Sequence, residues 1–161
     1  MPEVDALAAI RPTDWEFPLY LHVLGGMALV GSLVLAFTYL VPAWRGGSAE
    51  SLRLGFRSLL YAALPSFLVL RISSEWIADK EGINDLPDDE IPDWIDIGYI
   101  TSDAGALFLI VALIVSGVAM RRARTAGAQG GSTSVRVTTV LVSILLVAYL
   151  VAIWAMTTKP G

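Results

Sequence analysis

The chain has 161 residues, of which 55% are hydrophobic and only 16% carry a charged side chain. A water-soluble domain is normally about a quarter charged, so this composition excludes an ordinary soluble domain and indicates a membrane protein. The formal net charge is −4, but the charges are strongly sorted along the chain. The sequence contains no cysteine, which excludes disulfides, iron–sulfur clusters and thiolate metal sites.

Four apolar stretches predict membrane-spanning helices, at residues 17–41, 56–76, 97–120 and 136–157. Each stretch has about 20 residues or more, which is enough to cross a hydrocarbon core of about 30 Å. Four spans leave little chain for any soluble domain. We therefore predict one all-α domain over residues 1–161, an integral membrane four-helix bundle.

The first predicted span carries His22, the only histidine of the chain. Gly25 and Gly26 follow three and four residues later, so they share the helical face of His22. Small residues let membrane helices approach closely. We therefore expect this face, with His22, to point toward protein rather than lipid.

The second predicted span contains Pro65, which we expect to kink the helix, and ends with Arg71 and Glu75. Arg57 and Arg71 are closer in sequence than a full membrane crossing requires. At least one of them must therefore snorkel to the surface or find a partner within the protein. Glu75, one helical turn further on, is one candidate partner for Arg71.

The connection at residues 77–96 is acidic, and the third span follows it. The connection lacks the glycine-centred spacing of an EF-hand loop, so a solvated outer surface explains its charge better than a calcium site does. The third span opens with residues 99–108 and contains Asp103, the only acid enclosed in a long apolar run. Asp103 is a second candidate partner for Arg71.

The fourth predicted span ends with Met156. Helical spacing places Met156 on the same face as Ala148, Tyr149 and Ala152, so we expect it to point inward. Met156 then lies at the same end of the helices as His22.

Basic side chains are concentrated in the first and third connections, which hold seven of the eleven Lys and Arg residues. By the positive-inside rule these connections face the cytoplasm. We therefore predict a multi-pass protein of a bacterial-type plasma membrane, with both termini and the acidic loop on the extracytoplasmic side. Anionic lipid headgroups explain the basic ends, so no nucleic-acid partner is predicted.

This topology brings five side chains to the outer ends of the helices: His22, Arg71, Glu75, Asp103 and Met156. Ionisable groups at membrane depth are costly and tend to face partners or water. One interpretation is a site for haem, a metal or a quinone, with His22 and Met156 as ligands and Arg71 beside a propionate or quinone oxygen. The simpler interpretation is that Arg71 holds helices together by pairing with an acid, while His22 makes an interfacial hydrogen bond.

The run Leu21-His22-Val23-Leu24-Gly25 resembles an opening found in several bacterial membrane-protein families. These are the copper-resistance D family, the haem-containing protoporphyrinogen oxidase of bacteria and uncharacterised small four-helix integral membrane proteins. The resemblance to the haem-containing family implies that His22 is a haem ligand and that haem b is the cofactor. The further histidines or helix lysine of those relatives are missing here, so the overall likeness is to the uncharacterised small membrane proteins.

Three functional hypotheses follow from these patterns. The first is a protein that binds a cofactor at the outer ends of its helices. The second is a non-catalytic accessory or assembly subunit of a membrane complex, with a membrane protein as its partner in the bilayer. The third is a small transporter working as a homo-oligomer, and it ranks last because no charge lies near the middle of any predicted span. The sequence leaves open whether the protein is an enzyme.

Overall fold

The structure is a computed structural model that describes residues 16–83, 87, 91–126 and 132–158. In these ranges the chain is all-α, and four of its helices are long and apolar enough to cross a membrane. They are α1 (Glu16–Trp44), α2 (Ala49–Glu81), α3 (Asp93–Ala126) and α4 (Thr133–Thr158). The predicted helical class and the four hydrophobic spans are therefore confirmed.

Every helix extends beyond the apolar stretch that predicted it, and α2 extends furthest. It begins after the N-cap Ser48 and ends at Gly82, whose φ of 69° is the left-handed conformation that favours glycine. Polar residues can continue a helix past the apolar core, because the backbone hydrogen bonds are internal to the helix. The acidic segment is consequently divided between the end of α2, the connection and the start of α3.

Helix α2 departs from regular α-helical hydrogen bonding just before Pro65. Residues Leu59–Ala63 form a π-helical turn, and Pro65 stands at the start of the α-helical segment Leu64–Glu81. Proline has no N–H and clashes with the carbonyl one turn earlier, so a regular α-helix cannot pass through it undisturbed. In the π-helical turn the Leu64 N–H donates to the Leu59 carbonyl, five residues earlier instead of four.

Helices α1 and α2 pack tightly in an antiparallel pair. An added Cβ at Gly25 would lie 2.8 Å from the Leu70 backbone nitrogen, and one at Gly55 would lie 2.8 Å from Leu40 Cγ. Near the middle of the pair, the Ser58 hydroxyl donates a hydrogen bond of 2.8 Å to the Ser32 carbonyl. The glycines thus set how closely the two backbones approach.

Helices α3 and α4 form a second close antiparallel pair, in which small residues of α3 face large residues of α4. An added Cβ at Gly98 would lie 2.5 Å from Met156 Cε, and one at Gly105 would lie 2.5 Å from the Tyr149 hydroxyl. Helix α4 also packs on α1, and α3 on α2. All four helices contribute to one apolar core, which includes Leu33 and Leu145.

Candidate functional site

Arg71, in the C-terminal third of α2, forms ion pairs that link α2 to α3. Its Nη2 lies 2.8 Å from Glu75 Oε1 and 3.2 Å from Asp103 Oδ1. Its guanidinium also lies over the Tyr99 ring, with Cζ 5.4 Å from the ring centroid, which is a cation–π geometry. The sequence offered Glu75 or Asp103 as the partner of Arg71, and the structure pairs it with both.

Tyr99 and Asp103 can both reach Arg71 because they lie one turn apart on α3. The same spacing operates on α2, where Glu75 follows Arg71 by four residues. We call Arg71, Glu75, Tyr99 and Asp103 the outer cluster, after the side of the membrane on which the sequence predicts them. Two carboxylates surround one guanidinium, so the cluster formally carries one excess negative charge.

Three buried polar atoms remain without a hydrogen-bond partner among the residues that the structure describes: Arg71 Nη1, Ser102 Oγ and the Tyr149 hydroxyl. Buried polar groups in proteins are nearly always paired, because leaving one unsatisfied is costly. The Tyr149 hydroxyl contacts α3 at Gly105, two residues after Asp103 of the outer cluster. All three groups can donate a hydrogen bond, and the guanidinium can only donate.

Gly105 leaves room for the Tyr149 side chain between α3 and α4. The phenol reaches from α4 across to α3, and only a residue without a Cβ leaves room for it at position 105. Ser102 lies on the same face of α3, three residues before Gly105, and is 9% exposed. The face of α3 toward α4 is therefore lined by small residues beneath the outer cluster.

His22 faces α2, as its spacing from the two glycines predicted. Its Nδ1 lies 3.0 Å from the Ser74 hydroxyl, which itself lies 2.9 Å from the Leu70 carbonyl. Ser74 and Glu75 are neighbours, so this contact lies next to the outer cluster along the chain. The bond to Ser74 orients the imidazole with one ring nitrogen engaged.

Met156 faces a different helix. Its Cε packs against Gly98 of α3, whereas His22 contacts α2. The described contacts do not bring His22 and Met156 together as a pair of axial ligands. Among the described residues, no group of three or more His, Asp or Glu side chains is arranged to hold a metal ion. The groups that contact one another in the outer cluster are one guanidinium, two carboxylates and a phenol ring.

Sequence reasoning missed four residues that the structure places in or beside this site: Tyr99, Ser102, Tyr149 and Ser74. Tyr149 was recognised only as a neighbour of Met156 on one face of α4. The signal that could have identified Tyr99 is its position four residues before Asp103. The acids at 85 and 88–90 in the acidic connection lie outside the described residues.

Comparisons with known proteins provide no assignment for this arrangement. No family profile matches the chain, and neither the curated proteins nor the solved structures contain a match.

Proposed function

We propose that the protein binds a small neutral ligand with a carbonyl oxygen, of the quinone type, at the outer ends of its four helices. The observation that carries this proposal is the buried Arg71 Nη1, which has no hydrogen-bond partner among the described residues. A buried guanidinium N–H requires an acceptor, and Arg71 cannot satisfy it by losing its proton. A ligand oxygen at this position would accept from Arg71, with Tyr149 as a second donor.

The charge of the outer cluster favours a neutral ligand over an anionic one. Glu75 and Asp103 already exceed the charge of Arg71, so a haem propionate would meet net repulsion at this position. A quinone carbonyl accepts hydrogen bonds without bringing a charge. Quinones also dissolve in the bilayer and can reach a site between helices from the lipid.

The ligand proposal predicts that purified protein in detergent binds a short-chain quinone, and that Tyr149→Phe weakens this binding about threefold to tenfold. This factor corresponds to the loss of one ordinary hydrogen bond. Quenching of tryptophan fluorescence during titration with a decyl-substituted quinone gives the affinity. Tyr149→Phe should remain folded, because it removes a buried hydroxyl that has no partner within the described protein.

Tyr61→Phe is the matched control, since Tyr61 is 72% exposed on the surface of α2 and should bind like the wild type. No saturable quenching in the wild type, or equal affinities for the Tyr149 and Tyr61 variants, would overturn the proposal.

A visible spectrum of the same preparation tests haem directly. A Soret band that shifts on dithionite reduction and is lost in His22→Ala would assign haem instead.

We further propose that the helices form a bundle in a bacterial-type plasma membrane, with both termini and the connection between α2 and α3 outside. The clustering of basic residues at the opposite ends of the helices supports this orientation.

The absence of native cysteine makes the chain suitable for single-cysteine labelling. We expect a membrane-impermeant maleimide to label Pro87→Cys in intact cells and Ala49→Cys only after permeabilisation. The reverse pattern, or labelling of both from outside, contradicts the orientation.

One observation favours an accessory or assembly subunit as the second candidate. The guanidinium of Arg71 is neutralised by Glu75 and Asp103 within the chain, so its charge needs no ligand to be stable. The outer cluster would then be a structural link between α2 and α3. This alternative predicts a colourless protein that fails to bind quinone, tolerates His22→Ala and co-purifies with other membrane proteins.

A further inference from the structure

A groove of about 260 Å³ lies at the opposite end of the helices from the outer cluster. It is formed between the first turns of α2 and the last turns of α3. Arg53 of α2 and Arg124 of α3 line it from two sides. Leu52, Met120 and Ala123 also line it and supply an apolar surface.

The two arginines have little to bind within the described chain. Arg53 lies 3.7 Å from Glu50, but both side chains are exposed, at 46% and 60%, so this pair is weak. Arg124 is exposed in the last turn of α3. The groove lies beside the first turn of α2, where the helix dipole favours an anion, and Ser48 accepts a hydrogen bond from the Ser51 N–H there.

We infer that this groove binds the phosphate of one anionic phospholipid, with the acyl chains continuing along α2 and α3 into the bilayer. Arginine is suited to this role, because its planar guanidinium can donate two parallel hydrogen bonds to a phosphate. The partly exposed apolar residues Met120 and Ala123 suit the first methylenes of a lipid better than a soluble anion. Basic pockets between membrane helices are known to hold such headgroups. This inference is independent of the quinone proposal.

The test is native mass spectrometry of protein extracted from vesicles of phosphatidylcholine containing phosphatidylglycerol. We expect wild-type protein to retain one phosphatidylglycerol molecule. For the double variant Arg53→Gln/Arg124→Gln, we expect the fraction of protein with bound phosphatidylglycerol to fall by at least about tenfold. The control Arg57→Gln/Arg121→Gln removes the same charge from the same end but not from the groove, so it should retain lipid like the wild type.

Glu50→Gln provides a second readout, because it removes the negative charge that lines the groove and should increase retention. Equal losses in the groove and control variants would overturn the inference, since they would show a nonspecific charge effect. Complete displacement of the lipid by millimolar inorganic phosphate would also overturn it. That result would assign the groove to a soluble anion.

Discussion

Replacing Arg71 with leucine is expected to lower the free energy of unfolding by about 1.5 kcal/mol, because it removes two short charged hydrogen bonds and leaves two carboxylates without their shared cation. The value is below that for a buried ion pair, since the Glu75 and Asp103 side chains are 45% and 69% exposed. Loss of the Tyr99 cation–π contact adds to the effect. Unfolding of the detergent-purified protein by a denaturing detergent, followed by circular dichroism, measures this change.

Arg53→Leu is the matched control for the Arg71 variant. Its ion pair with Glu50 is long and exposed, so we expect a change of less than about 0.5 kcal/mol. Adding Asp103→Asn to Arg71→Leu should restore part of the lost stability, because it removes one of the two unpaired charges. If Arg71→Leu is no more destabilising than Arg53→Leu, the outer cluster does not hold α2 to α3.

Replacing Gly25 with alanine is expected to cost about 3 kcal/mol by forcing α1 and α2 apart. The new Cβ would lie 2.8 Å from the Leu70 nitrogen and 3.1 Å from its Cα. Both are backbone atoms, which cannot rotate away as the end of a side chain can. The displacement should also break the bond between His22 and Ser74, which crosses the same interface.

Gly31→Ala separates this steric effect from the general effect of a methyl group on a helix. Gly31 is on the same helix, and an added Cβ there meets nothing within 4 Å. Alanine is the better helix former by about 1 kcal/mol, so Gly31→Ala should be neutral or stabilising. Thermal unfolding of both variants in one detergent makes the comparison. Similar melting temperatures for the two variants would show that α1 and α2 do not depend on the close approach at Gly25.

The two candidate ligands suggested by the sequence contact different helices, since His22 contacts α2 and Met156 contacts α3. His22 and Met156 belong to the same end of the molecule, and the sequence indicated this from the alternation of spans and connections. Which neighbour each side chain meets depends on the rotation of its helix. Gly25 against Leu70 sets that rotation for α1, and Gly98 against Met156 sets it for α4.

The amino-acid sequence by itself determined the helical class, the four apolar spans and the sorting of charge between the two ends. These properties are local, because about 20 apolar residues form a spanning helix whatever surrounds them. Only the tertiary structure decided that Arg71 takes two acids and a tyrosine ring, and that the Tyr149 hydroxyl reaches Gly105. Those contacts require the register and rotation of two helices at once, and both follow from side-chain packing between residues distant in sequence.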